Sequence, residues 1–346
     1  MPKSAPTAST APAKGAAAAK RTVPAKGTAS GKDTVSAKDT KAAKAAKAAA
    51  KPEPIAEPEP IARPEAGAKP TTSSPNGYNR LAVRKTYKLY VGGAFPRSES
   101  GRTYLVDGDN VALASRKDAR DAVVAARKAQ PKWAGATAYN RGQVVYRIAE
   151  MVEARRAEFV ALGVPAAEVD AAVDRLIWYA GWADKIAQVT GNANPVAGPY
   201  FNLSAPEPTG VVGVVAPASL LGLVSVVAPT IVTGNTVVVL AAGPQVAITL
   251  AEALATSDVP GGVVNILTGR PAETAPWLAS HDDVNALDLT GLDDPSLAAD
   301  LERAAAGTLK RVLRPPAGAA DLTADPGLGP ITAFLETKTV WHPKGF

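Results

Sequence analysis

Few side chains in this 346-residue sequence are of a kind that performs covalent or metal chemistry. Cysteine is absent, which excludes thiol nucleophiles, thiolate metal sites and disulfides and fits a reducing cytoplasm. Only two histidines occur, His281 and His342, far apart in the chain and with no carboxylate or second histidine at ligand spacing, so a metal site has no support. The chemistry left open is recognition. Several short apolar strands alternate with helices, and the carboxyl ends of such strands gather at the sheet edge where nucleotides bind.

The elements that must build that edge begin in the stretch Glu207 to Val239. Two β-branched runs, Val211 to Ala216 and Thr236 to Leu240, flank an apolar segment of helical length; hydrophobicity without polar alternation is the mark of strands buried on both faces. The pattern repeats as a helix over Gln245 to Ser257, a strand over Val263 to Leu267, a helix over Ala272 to Ser280 and a strand over Val284 to Thr290. Helix Ser296 to Ala306 and strand Leu309 to Leu313 complete it. The expected fold is α/β, a Rossmann-like parallel sheet with helices on both faces.

Upstream, KLYVGGAFPRSESGRTYLV from Lys88 alternates about Gly92-Gly93 and predicts a hairpin at a sheet edge. Ser115 with Asp118 forms a capping box ahead of a helix over Lys117 to Ala129. Two more helices, Tyr139 to Leu162 and Ala166 to Ala187, complete an N-terminal helical shell. The second carries Trp178, Tyr179 and Trp182, which with Val169, Val173, Leu176 and Ile186 predict core packing in place of a stacking platform.

Charge is unevenly spread. Residues 1 to 80 hold 14 Lys and Arg against 6 Asp and Glu, a net of +8, and the rest carries −2 of the total of +6. Up to about Pro75 the chain is Ala, Lys, Pro, Thr and Ser with almost nothing to bury, so a disordered basic tail is expected over residues 1 to 80. Within it, Lys41, Lys44, Lys47 and Lys51 have the spacing of a transient helix, and the EPIA units at Glu53 and Glu59 suit an extended spacer. The tail has three readings: a solvating linker, a dock for an acidic protein, or a sequence-independent nucleic-acid contact through residues 1 to 75. No signal-peptide core is present. No membrane partner is expected, because the best apolar run, Leu220 to Val232, contains Pro229 and lies between two strands.

The runs EPTGVVGVVAP, GNTVVV, VPGGVVNILTG, SHDDV followed by LTG, and AAAGTLKRV, in that order, resemble the nucleotide-binding domain of the NAD(P)-dependent aldehyde dehydrogenase family. The resemblance implies a cofactor edge at Val215, Ala216, Pro217, Thr290 and Gly291 and a projecting oligomerisation arm beginning near Pro195 to Leu203. It also implies a cysteine that forms a thiohemiacetal and passes hydride to the nicotinamide, and that residue is missing. Where active relatives have Trp-Asn-Phe-Pro, this chain has Ala218-Ser219-Leu220-Leu221; losing the Asn oxyanion donor costs about 10²- to 10³-fold in rate. The family's ribose-holding Lys and Glu correspond to Leu240 and Gly243. Asp293 and Asp294 stand where pyrophosphate would approach, and they suit helix capping ahead of Pro295. No catalytic residue is assigned, and no cofactor is expected to bind; NAD(P) enters by family resemblance only.

The strand bearing the family's general base is replaced by Leu313-Arg314-Pro315-Pro316. A linker over residues 314 to 330 then leads to ITAFLETKTVWHPKGF, which is similar to the family's C-terminal oligomerisation strand. The implied organisation is a tail (1–80), a nucleotide-binding domain (81–313), a linker in place of the catalytic domain (314–330) and an oligomerisation strand (331–346). Phe334, Glu336, Thr337, Lys338, Thr339, Val340 and Trp341 are the residues expected to pair with another chain. The partner this suggests is a full-length aldehyde dehydrogenase in a cytoplasmic hetero-oligomer, with this chain a pseudoenzyme subunit. The alternatives are aldehyde oxidoreductase activity within a mixed complex only, or a nucleotide- or nucleic-acid-binding module.

Overall fold

The computed structural model describes residues 72–73, 79–80, 83–318 and 321–345. The transient helix and extended spacer expected in the basic tail lie outside these residues. Thr72–Ser73 and Asn79–Arg80 pair as a two-residue antiparallel ladder.

From Val83 onward the chain builds β1 (Thr86–Tyr87), β2 (Thr103–Val106) and β3 (Asp109–Ala112), with β3 central in a small sheet. The turn joining β2 to β3 is Asp107-Gly108, with both residues at positive φ. The long hairpin expected about Gly92-Gly93 is instead a single Val91–Ala94 bridge. Gly92 and Gly93 sit at φ +64° and +85°, and a Cβ on Gly93 would lie 2.9 Å from the backbone of Gly261, so two glycine pairs pack main chain on main chain. The edge role holds: Tyr90 exchanges backbone hydrogen bonds with Ile266 at 2.9 and 2.7 Å.

Helix α1 (Arg116–Ala134) starts with the expected Ser115/Asp118 capping box and continues past Pro131. The proline lies in the final turn, where its missing N–H removes one bond only, and Trp133 Nε1 anchors the end by donating to Ile231 O at 2.8 Å. The next expected helix divides at Arg155 into α2 (Ala138–Ala154) and α3 (Arg156–Ala161), a break that re-aims Phe159 into the core. Helix α4 (Ala166–Trp182) is followed by α5 (Ile186–Thr190). Tyr179 is buried and Trp178 packs against both Tyr179 and Trp182, as core packing predicts.

After β4 (Asn192–Asn194) and β5 (Tyr200–Pro208) comes the parallel unit. It comprises β6 (Val211–Ala216), α6 (Leu220–Val232), β7 (Thr236–Ala241), α7 (Pro244–Leu254), β8 (Val264–Thr268), α8 (Pro271–Ser280), β9 (Ala286–Asp288), α9 (Pro295–Ala306) and β10 (Arg311–Leu313). All five strands are parallel, in the order β8-β7-β6-β9-β10. Side chains alternate between two apolar layers: Val212, Val214, Val237 and Val239 face α2, α4, α6 and α7, whereas Val211, Val215, Val238 and Leu240 face α1, α8 and α9. Strands β9 and β10 are shorter than expected, because the hydrogen-bonded ladder spans only Ala286–Asp288 against Arg311–Leu313.

The chain ends with α10 (Gly329–Thr332) and β11 (Leu335–Pro343). Strand β11 does not stand alone, as the sequence suggested; it pairs antiparallel with β5 over nine positions, from Leu335 opposite Pro208 to Pro343 opposite Tyr200. In the sheet order β11-β5-β4 no described strand pairs with the other edge of β11. Phe334, expected within the strand, is instead a buried anchor preceding it. Its carbonyl accepts from Thr209 N at 3.1 Å and from Asn235 Nδ2 at 2.9 Å. The fully buried Asn235 also accepts from Gly210 N at 2.7 Å, tying the base of the β5–β11 ribbon to the first strand of the parallel sheet.

Candidate functional site

The strand order reverses between β6 and β9, so the crevice outside their carboxyl ends is the ligand position of an open α/β sheet. The five residues anticipated for a cofactor, Val215, Ala216, Pro217, Thr290 and Gly291, meet there. Gly291 N donates to Val215 O at 2.9 Å, and a Cβ on Gly291 would lie 2.2 Å from the Ala216 carbonyl carbon and 2.3 Å from Pro217 N. The two strand ends are therefore in direct backbone contact. Two cavities of about 670 and 680 Å³ lie elsewhere, between α2 and α4 and beside α1.

A dinucleotide at such an edge relies on free N–H groups at helix starts, where the dipole favours an anion. Both starts already hold carboxylates of the chain itself. At α6, Leu221 N donates to Glu168 Oε1 at 3.2 Å, and the N-cap Ser219 Oγ accepts from Gly222 N at 3.0 Å. At α9, Asp294 Oδ1 accepts from Ser296 N at 2.9 Å and Leu297 N at 3.2 Å, which is the capping role anticipated for it. Leu240 is buried in the second apolar layer, and a Cβ at Gly243 would approach Ala218 O to 2.4 Å, so neither position offers a hydrogen-bonding group to a ribose. These residues do not fit NAD(P).

Beneath the crevice lies a polar group that sequence reasoning passed over. Asp288, 2% exposed, accepts from Thr290 N at 2.9 Å and from Thr290 Oγ1 at 2.5 Å. Burial pushes its carboxyl up to about 6, against the pull of the two Thr290 hydrogen bonds. Burial likewise pushes Tyr179 up to about 12, opposed by the charge and side-chain hydrogen bonding of the neighbouring Arg175 guanidinium, although the hydroxyl makes no well-aligned hydrogen bond among the described residues. Arg175 is also buried, donating through Nη2 to Leu322 O at 2.7 Å and Ala324 O at 2.8 Å. Signals for these groups existed: Asp288 is the one acid in an apolar strand, and Glu168 and Arg175 stand seven residues apart on one face of α4. No group of His, Asp and Glu suited to a metal ion occurs among the described residues. No described helix is long and apolar enough to cross a membrane.

The family model described as "Aldehyde dehydrogenase family" matches residues 108–320. The chain belongs to this aldehyde dehydrogenase family. It is 32% identical over 262 residues to "Aldehyde dehydrogenase, cytosolic 1" of Elephantulus edwardii, a match covering 69% of this chain and 51% of that protein. It is also 32% identical over 237 residues to "Cytosolic 10-formyltetrahydrofolate dehydrogenase" of Mus musculus, covering 61% of this chain and 26% of that one. Among solved structures, the NAD+ complex of an aldehyde dehydrogenase from Bacillus cereus superposes with a TM-score of 0.61 at 26% identity, covering 66% of this chain and 50% of the other. HpcC from Thermus thermophilus gives 0.62 at 29% identity, covering 66% and 47%. The chain thus spans about half the length of most of these aldehyde dehydrogenase relatives.

Proposed function

We propose that this chain is a non-catalytic aldehyde dehydrogenase family member, a structural or regulatory subunit that docks onto a full-length aldehyde dehydrogenase through the open edge of β11. The observation that carries the reading is that edge: among the described residues, the nine of Leu335–Pro343 are paired on one side only. An unpaired strand edge of this length is a template for strand addition by another chain. By contrast, β8 at one side of the parallel sheet is met by Tyr90, and β10 at the other has only three residues. The absence of a thiol and the carboxylates of Glu168 and Asp294 at the helix starts support a subunit that does not turn over a dinucleotide alone. NAD(P) belongs to the reading only by family resemblance, and the compartment proposed is the cytoplasm.

The test is co-expression of the tagged chain with an intact family member, followed by native mass measurement, with a version lacking residues 335–346 in parallel. Stable hetero-oligomers that disappear on truncation are expected, together with no calorimetric heat from millimolar NAD+ or NADP+. A solitary monomer that reduces either cofactor with an aldehyde would overturn the proposal.

A further inference from the structure

The segment Asp321–Phe334 joins the parallel sheet to β11, and its packing gives it a role of its own. The chain leaves β10 beside α9, where Arg314 Nε lies 2.8 Å from Glu302 Oε1. It arrives on the opposite face of the sheet, where Leu322 packs against the first apolar layer and Ile331 and Phe334 are buried. Two side-chain turns shape it: Asp321 Oδ1 accepts from Thr323 N at 2.9 Å and Asp325 Oδ1 from Gly327 N at 2.9 Å. They bring the carbonyls of Leu322 and Ala324 together on a single nitrogen, Arg175 Nη2.

Arg175 is 8% exposed and makes no ion pair among the described residues; its Nη1 reaches Ser225 Oγ only at 3.5 Å. A buried cation without a counter-charge is costly unless dipoles replace its water. The closest of those dipoles, the carbonyls of Leu322 and Ala324 at 2.7 and 2.8 Å, belong to the segment.

We propose that Asp321–Phe334 is a strap latched by Arg175, which holds the lead-in to β11 against the helices of the first apolar layer. Arg175 is a positioning residue: its guanidinium holds the strap, and the strap carbonyls in turn solvate the guanidinium.

Because the chain has no cysteine, one introduced thiol reports on the strap without background. The full chain carrying Leu322→Cys is labelled with a thiol reagent under native conditions, alone and combined with Arg175→Lys or Arg175→Met. Losing two hydrogen bonds from a charged donor is expected to speed labelling roughly tenfold to a hundredfold in Arg175→Met. Arg175→Lys, which keeps charge without the planar fork, should fall between. A parallel chain with Ala279→Cys, buried in the opposite layer, reports global opening and should label at an unchanged rate. If Arg175→Met fails to fold, Asp321→Ala, which removes one turn and leaves the buried charge untouched, should still speed labelling at position 322 several-fold. Equal rates at position 322 across the variants, or an equal rise at position 279, would overturn the latch.

Discussion

Replacing Asp288 by Asn should raise stability at alkaline pH and not at acid pH. In the folded chain the carboxyl sits in an almost dry site at about 6, against an ordinary value of 3.8. Because the folded value is the higher one, its contribution to stability is fully present below about 4 and is lost as pH rises through 6. A shift of about two units corresponds to roughly 3 kcal/mol between the two limits. The amide of Asp288→Asn keeps an oxygen able to accept from Thr290 N and Oγ1 and carries no charge at any pH. Burying the two added N–H donors without acceptors would cost about 1 kcal/mol. The variant should therefore be about 2 kcal/mol more stable than the parent at pH 8 and about 1 kcal/mol less stable at pH 4. Urea unfolding followed by circular dichroism at the two pH values measures this, and the difference of differences cancels every group common to both proteins. A stability difference that stays constant within about 0.5 kcal/mol across the range would refute the account of a desolvated carboxylate.

Two further substitutions follow from local geometry. Leu309 is 92% exposed at φ +55°, the left-handed position that closes α9, so Leu309→Gly should raise stability by about 1 kcal/mol and the melting temperature by a few degrees, checked by thermal denaturation. Tyr179→Phe keeps the ring packing and deletes a hydroxyl that makes no well-aligned hydrogen bond among the described residues, so a gain of about 1 kcal/mol in urea unfolding at neutral pH is expected; a clear loss would mean that its contact with Arg175 is a stabilising hydrogen bond.

The parallel unit was legible because its signals are local. Strands buried on both faces are continuous β-branched runs, and Ser115 with Asp118 sits at the spacing a helix start needs. The capping role of Asp294 could be read for the same reason, since its partners Ser296 and Leu297 are two and three residues away. What escaped depends on tertiary distance. Glu168 meets Leu221 from 53 residues upstream, and β11 finds β5 across more than a hundred. The division of the second helix at Arg155 was hidden because apolar spacing runs on through the break, with Phe159 returning to the core on a new axis. At the candidate site, resemblance singled out five residues that share one crevice, but the close backbone approach of Gly291 to Ala216 and Pro217 depends on two strand ends more than seventy residues apart in sequence.

Asn235 joins three parts of the chain through one amide: the entry to β6, the entry to β11 and, through Thr233 Oγ1 at 3.0 Å, the close of α6. The ribbon of β5 and β11 is consequently mounted like a handle on a plate, without a hinge at its root. A protein that grasps the handle receives the plate at a fixed angle, and torque applied at Trp341 is delivered to the first strand of the sheet.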